Sequence, residues 1–203
     1  MLRRVMIAGP GGPMALTAWD PALLSPLGAL SAGNRLLSAN APGQYANCRS
    51  VGALAGLVYF SVRCVKSGSN NWGAGLMDAS VAAGNAAWVG GGSSAGIWYE
   101  GRVYQAGAAL HYSGAAYPAD SEVQIAVRAA SRRYWMRVNG GPWVGGGNPA
   151  VDSTPTGTLP GTGAIYIAAS IDSRGAANGT SRLPATSVDV TGAVPAGFSA
   201  GVM

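Results

Sequence analysis

Glycine and proline interrupt this chain at short intervals along its whole length, at 32 and 12 of its 203 residues. Glycine loses the most conformational freedom inside a regular element, and proline removes a backbone donor, so long helices are disfavoured and short extended runs between turns remain. Apolar residues recur at strand-like spacing in those runs. "LVYFSVRCV" (residues 57–65) is rich in β-branched and aromatic side chains and is closed by "SGSNN" (67–71). "WGAGLMDAS" (72–80) follows, and "AGIWYEGRVYQAG" (95–107) reads as two strands about a turn at Glu100-Gly101. In "SEVQIAVRAA" (121–130), Val123, Ile125 and Val127 alternate with Gln124, Ala126 and Arg128, the period of two of a half-buried strand. "RRYWMRV" pairs back on it, with Tyr134, Met136 and Val138 on one face and Trp135 and Arg137 on the other. Asn139-Gly140 then supplies the positive-φ positions of a tight hairpin turn. "AIYIAASI" (164–171) carries no charge and reads as a central strand.

Many short strands separated by turn signals at roughly 8- to 12-residue spacing indicate two antiparallel sheets packed face to face. The expected fold is therefore an all-β sandwich in one domain, residues 15–203, preceded by an extended N-terminal arm, residues 1–14. "DPALLSPLGAL" is limited by Pro21 and Pro26 to a short turn of helix, and "NPAVDSTPTGTLPGTG" (148–163) reads as a surface loop.

Charge narrows the functional classes. Charged residues make up 10% of the chain, against about 25% in an ordinary domain. With 48% apolar residues this is the opposite of a disordered composition. Two readings of the low charge stay open: partners cover part of the surface, or Ser, Thr, Gly and Ala make it neutral. The net charge of +5 rests almost wholly on arginine, Lys66 being the only lysine, and only Arg3-Arg4 and Arg132-Arg133 are adjacent. A nucleic-acid binder concentrates its charge in a stripe, so no nucleic-acid partner is expected. No apolar run reaches the length of a membrane span. Residues 1–18 imitate a signal peptide, but "GPGGP" (9–13) interrupts the apolar run, so assembly in a cytoplasm is the expectation. Cys48 and Cys64 are too few for a disulfide framework and are expected to be reduced and partly buried.

"YWMRVNGGPWVGGGNPA" (134–150) resembles the late signature of SPRY-type domains as they occur in bacteriophage structural proteins. Other segments resemble that family in the same order. They are "LTAWDPALLSPLGALSAGNRLLSA", "GLVYFSVRCV", "NWGAGLMDAS", "GIWYEGRVYQAG", "DSEVQIAVRAASRRYWMRVNG" and the closing "VPAGFSAG". The residues carrying the likeness are Trp19, Tyr59, Trp98, Tyr99, Gly101, Trp135, Asn139, Gly140 and Trp143. Leu57 and Ser61 depart from it, standing where lysine and glutamate are common. The resemblance implies a concanavalin-like, jelly-roll-type sandwich, usually a binding or structural module, and it carries over no partner preference.

The residues offer little chemistry. His111 is the only histidine, and neither a catalytic triad nor a zinc site can be built around it with two separated cysteines. Asp78, Glu100, Asp120, Glu122, Asp152 and Asp172 are the acids from which a glycosidase pair would come, with Asp120 and Glu122 read as a solvated strand end. "GGGSSAG" (90–96) lacks the lysine of a phosphate-binding loop and reads as a flexible loop. No cofactor or metal is expected. Tryptophans can stack on sugars or anchor an interface. Trp98 and Trp135 read as core packing, whereas Trp72, following Asn70 and Asn71, and Trp88, beside the glycine run, read as a candidate binding rim.

These features lead to the expectation of a non-enzymatic phage virion component, decorating the capsid or associated with a tail or fibre, with other virion proteins as partners in many copies or a homo-oligomer. The alternatives are a carbohydrate-binding module for host surface glycans, through Trp72 or Trp88, and a glycan-cleaving enzyme on the same sandwich.

Overall fold

In β4 (Leu57–Lys66), alternate side chains Val58, Phe60, Val62 and Cys64 enter one core, while Tyr59 joins a second cluster on the opposite face. That alternation runs through the whole molecule and sorts it into layers. The computed structural model describes residues 18–40, 42–66, 72–82, 88–112, 116–172, 174, 180–183 and 189–201.

Before β4 come β1 (Gly28–Ser31), β2 (Leu36–Ala39) and β3 (Tyr45–Ala53); after it come β5 (Trp72–Asp78), β6 (Ser94–Trp98), β7 (Arg102–Gln105) and β8 (Ala108–Tyr112). The β9 (Glu122–Arg128) and β10 (Arg133–Val138) hairpin follows, then β11 (Gly157–Thr158), β12 (Ile165–Asp172), β13 (Thr180–Arg182) and β14 (Ser199–Ala200). The first sheet has the order β1-β2-β13-β4-β9-β10-β11, with β14 alongside β4 in the one parallel pairing described. The second has the order β3-β12-β5-β6-β7-β8. The expected all-β antiparallel sandwich is thus observed, and β12 is central, between β3 and β5. The expected turn of helix in "DPALLSPLGAL" is a single 3-10 turn, Pro21–Leu23, whose first free amide is capped by Asp20. The N-terminal arm, residues 1–14, lies outside the described residues.

The core fills the space between the sheets. Leu37, Phe60, Ile125 and Met136 face inward from the first sheet, and Leu76, Ile97, Ile167 and Ile171 from the second. Cys48 and Cys64 are both in this core, unbridged as expected, and burial pushes the Cys48 thiol up to about 12. Two polar links cross the layers. The Tyr134 hydroxyl donates to Gln105 Oε1 at 2.7 Å. Arg132 donates to the fully buried Asp78 carboxylate at 2.6 Å and to the carbonyls of Leu159, Pro160 and Gly163. Burial alone would raise the Asp78 carboxyl, but hydrogen bonds from Ser80 and Arg132 outweigh it and hold the group below its ordinary value.

Two expectations need correction. Asn139 and Gly140 do turn the chain, with φ of 51° and 72°. They are not the hairpin between paired strands, however. β9 and β10 are joined through Ala129–Arg132, and the segment after Gly140 runs back beside β10 without forming a strand, tied by the Val144 amide to the Met136 carbonyl. Pro142 has no amide to pair, and the glycine run gives a strand little to hold it extended. "GGGSSAG" is also no flexible loop: Ser94, Ala95 and Gly96 are buried in β6, and the Ser94 hydroxyl is bonded to the Gly90 amide and the Trp88 carbonyl.

Each outer face carries a further layer. On the first sheet, residues 189–201 lie over Tyr59, Ala126 and Trp135, adding Val190 and Phe198 to a second apolar cluster. On the second sheet, Val89, just before β6, packs on Met77 and Ala168.

Candidate functional site

The outer face of the second sheet is open beyond Val89. Ile97, Ile171, Ala46 and Val103 point into the core, so their neighbours Trp98, Asp172, Tyr45 and Tyr104 point out. With Trp88 from the β5–β6 connection, Tyr99, Glu100 and Arg174, they line a cleft of about 280 Å³.

Its walls are aromatic. Trp88 meets Trp98 at 5.6 Å and 68° and Tyr104 at 5.3 Å and 76°, while Tyr45 lies edge-on to Trp98 at 5.8 Å. Glycines fix the indoles. Gly73 is the cross-strand partner of Trp98, and a Cβ there would come within 2.6 Å of its ring. A Cβ on Gly91 would sit 2.6 Å from the indole nitrogen of Trp88. The Trp98 indole donates to the Val89 carbonyl at 2.6 Å, tying the sheet to the segment just before β6.

Charges are arranged around the rings. The Tyr104 hydroxyl donates to Glu100 Oε1 at 3.0 Å. Burial, the Glu100 hydrogen bond and its negative charge raise the Tyr104 phenol, outweighing the hydrogen bond and charge of Arg102. Glu100 Oε2 is buried with no hydrogen-bond donor among the described residues. Asp172 is held by Arg174 through both carboxylate oxygens, and Arg174 also lies over the Tyr45 ring at 5.4 Å. Burial raises the Tyr45 phenol, partly offset by Arg174.

The residues singled out from sequence separate. Trp88 lies in the cleft, but Trp72 does not belong to a rim: it is 1% exposed, in the core of β5. Its position in a strand whose seven residues are all buried outweighs its place beside a polar turn. Asn70 and Asn71 lie outside the described residues. Trp98, read as packing, is buried but forms a cleft wall, and Trp135 packs as expected, though on the outer face beneath the C-terminal segment rather than between the sheets. Trp19 is fully buried, with its indole donating to the Arg35 carbonyl, and Trp143 meets Tyr59 edge-on. Tyr45, Tyr104 and Arg174 carried no signal, since each comes from a different element and only strand order brings them together.

Two of the other acids are paired with arginines, while Glu122 forms no ion pair among the described residues and burial raises its carboxyl, partly offset by Arg63. Asp120 bonds Arg63, and Asp152 bonds Arg128 and Arg133. Glu100 and Asp172 share the aromatic cleft, with Asp172 engaged by Arg174, and Asp120 and Glu122 share a second cleft, with Asp120 engaged by Arg63. His111 faces the Thr156 carbonyl at 3.2 Å, a packing role. Among the described residues, no group of three or more His, Cys, Asp or Glu is poised to hold a metal, and no helix is long and apolar enough to cross a membrane.

No family model matches the sequence, and no curated protein does. Solved structures do match. The chain is similar to the SPRY domain of human HERC1, with a TM-score of 0.62 and 12% identity over 82% of this chain and 96% of that one. It is similar to a human SPRY domain, with a TM-score of 0.55 and 17% identity over 77% of this chain and 94% of that one. The PSpry domain of TRIM65 gives 0.57 and 14%, over 84% and 90%. The fold is that of SPRY domains, a concanavalin-like β-sandwich.

Proposed function

We propose that this chain is a non-enzymatic binding module of a tailed-phage particle, a capsid decoration or a tail- or fibre-associated component that contacts other virion proteins. The observation carrying the binding role is the aromatic cleft, about 280 Å³ on a rigid sheet and walled by the half-buried rings of Tyr45, Trp88, Tyr99 and Tyr104 beside the Glu100 carboxylate. Rigid aromatic anchors give contact energy at low entropic cost, and many copies on a particle would add avidity. The phage context rests on the sequence resemblance to SPRY-type domains of phage structural proteins. The arm, residues 1–14, would dock the sandwich on the particle. Purified particles should contain the chain in many copies by quantitative mass spectrometry, and deletion of residues 1–14 should remove it from them. Particles lacking the chain would end the virion reading, and particles retaining the truncated form at full occupancy would end the arm's role.

A glycan-binding reading is favoured by one observation, the placement of Trp88 at the cleft, and loses Trp72. A glycan array at high protein density should then show binding that Trp88→Ala abolishes. A glycan-cleaving reading would need Asp172 to leave Arg174 in the aromatic cleft, or Asp120 to leave Arg63 beside Glu122, and incubation with host capsule or lipopolysaccharide should then yield product.

A further inference from the structure

This chain places its own guanidinium groups over several of its aromatic rings, buried and partly exposed alike. Arg137 lies 4.4 Å from the Trp143 centroid and 5.7 Å from Tyr59, Arg49 lies 4.2 Å from Tyr166, and Arg102 lies 5.3 Å from Tyr112. In the cleft, Arg174 reaches Tyr45 only. Among the described residues no cation covers Trp88, Trp98 or Tyr104. The faces of aromatic rings carry partial negative charge, and rings meeting edge to face turn those faces into adjoining walls. Angles of 68° and 76° between neighbours therefore make a box, where a sugar ring would want one flat platform. Glu100 lines that box with one oxygen taken by Tyr104 and the other, Oε2, buried and unpartnered among the described residues. Arg174, which lines the cleft, is paired with Asp172, and Arg102 acts on the Tyr104 hydroxyl, so among the described residues no cation pairs with Glu100.

We propose that the cleft binds an alkylammonium group, the lysine head of a partner protein, with Glu100 as its counter-charge. This rests on the reading of the chain as a binding module and adds the chemistry of what it binds. A guanidinium would seek two carboxylate oxygens side by side, and Glu100 has one to give while Asp172 is committed to Arg174. A compact ammonium needs only one. Arg174 stands at the entrance with its side chain 62% exposed, so its charge opposes the incoming cation.

The test is a titration of the full chain with N-acetyl-lysine methylamide and with tetramethylammonium, followed by tryptophan fluorescence and by the indole N–H signals of Trp88 and Trp98. Both probes should bind saturably and shift those two indoles. The neutral isostere N-acetyl-norleucine methylamide and methyl glucoside should not, and N-acetyl-arginine methylamide should bind more weakly than lysine. Glu100→Gln should weaken lysine binding by about tenfold, and Arg174→Gln should strengthen it, so the two variants move in opposite directions. Equal binding of norleucine or methyl glucoside, arginine binding as tight as lysine, no saturable lysine binding, or an unchanged affinity in Glu100→Gln would each overturn the proposal. Lysine binding by a chain absent from particles would sink the virion reading and leave this inference standing. Particles rich in a chain that ignores lysine would do the reverse.

Discussion

Each sheet carries an aromatic cluster on its outer face, and the two are finished differently. On the first sheet, Tyr59, Trp135 and Trp143 are covered by residues 189–201 and by Arg137, whose guanidinium donates to Gln124, the Tyr59 hydroxyl and the Ala193 carbonyl. The Trp135 indole donates to the Ser153 carbonyl at 2.8 Å, and the Tyr59 hydroxyl to the Thr191 carbonyl at 2.8 Å. Ring faces and polar tips there are satisfied from within the chain. On the second sheet, Val81 and Val89 pack over Met77 and Ala168, and the described rings beyond them stand around an open cleft. The same residue types thus serve as structure where a strap closes over them and as cleft walls where none does among the described residues.

The largest expected effect sharpens that contrast on the closed side. Trp135→Ala should lower the unfolding free energy by about 3–5 kcal/mol, read from the denaturant midpoint, because a fully buried, hydrogen-bonded indole leaves a cavity. Next comes the pin that holds the two layers together. Asp78→Asn should cost about 3 kcal/mol, since it strands the guanidinium of Arg132 without its carboxylate. The folded-state value of Asp78 lies below its unfolded one, so the pair's contribution is complete above about pH 4 and is lost as pH falls through the lowered value. Stability of the Asn variant should therefore fall less steeply in acid. Arg137→Gln should cost about 2 kcal/mol, whereas Arg174→Gln, largely exposed, should stay within about 0.5 kcal/mol. Similar losses at the two arginines would break the comparison. Trp88→Ala should cost only about 1 kcal/mol, as its ring is half-buried. Smallest of all, Cys48 and Cys64 should not react with a thiol reagent at pH 8 in the folded protein, and labelling should keep pace with global unfolding.

The layers were legible in the sequence because burial has a period. Val123, Ile125 and Val127 against Gln124, Ala126 and Arg128 fixes which side of β9 meets the core, and the paired pattern in β10 follows from it. Alternation cannot tell, however, whether the other side meets water or a further layer. Trp135 and Tyr59 stand on the side that a two-layer sandwich gives to solvent, and they were the available sign that something covers it. Phe198, in a short apolar stretch between glycines, is what covers them. The cleft was harder to read. Trp88 is visible beside its glycines, but Tyr45, Tyr104 and Arg174 are brought to it by the order β3-β12-β5-β6-β7, which no local pattern encodes. Trp72 misled for the same reason: a polar turn beside it says nothing about the depth of the strand it opens.

That the cleft draws on positions from Tyr45 to Arg174 has a thermodynamic consequence. No fragment of the chain contains enough of its walls to bind, so occupancy and global folding are linked equilibria. A ligand that fits should raise the thermal midpoint in proportion to the logarithm of its concentration, which makes heat denaturation a screen for the natural partner.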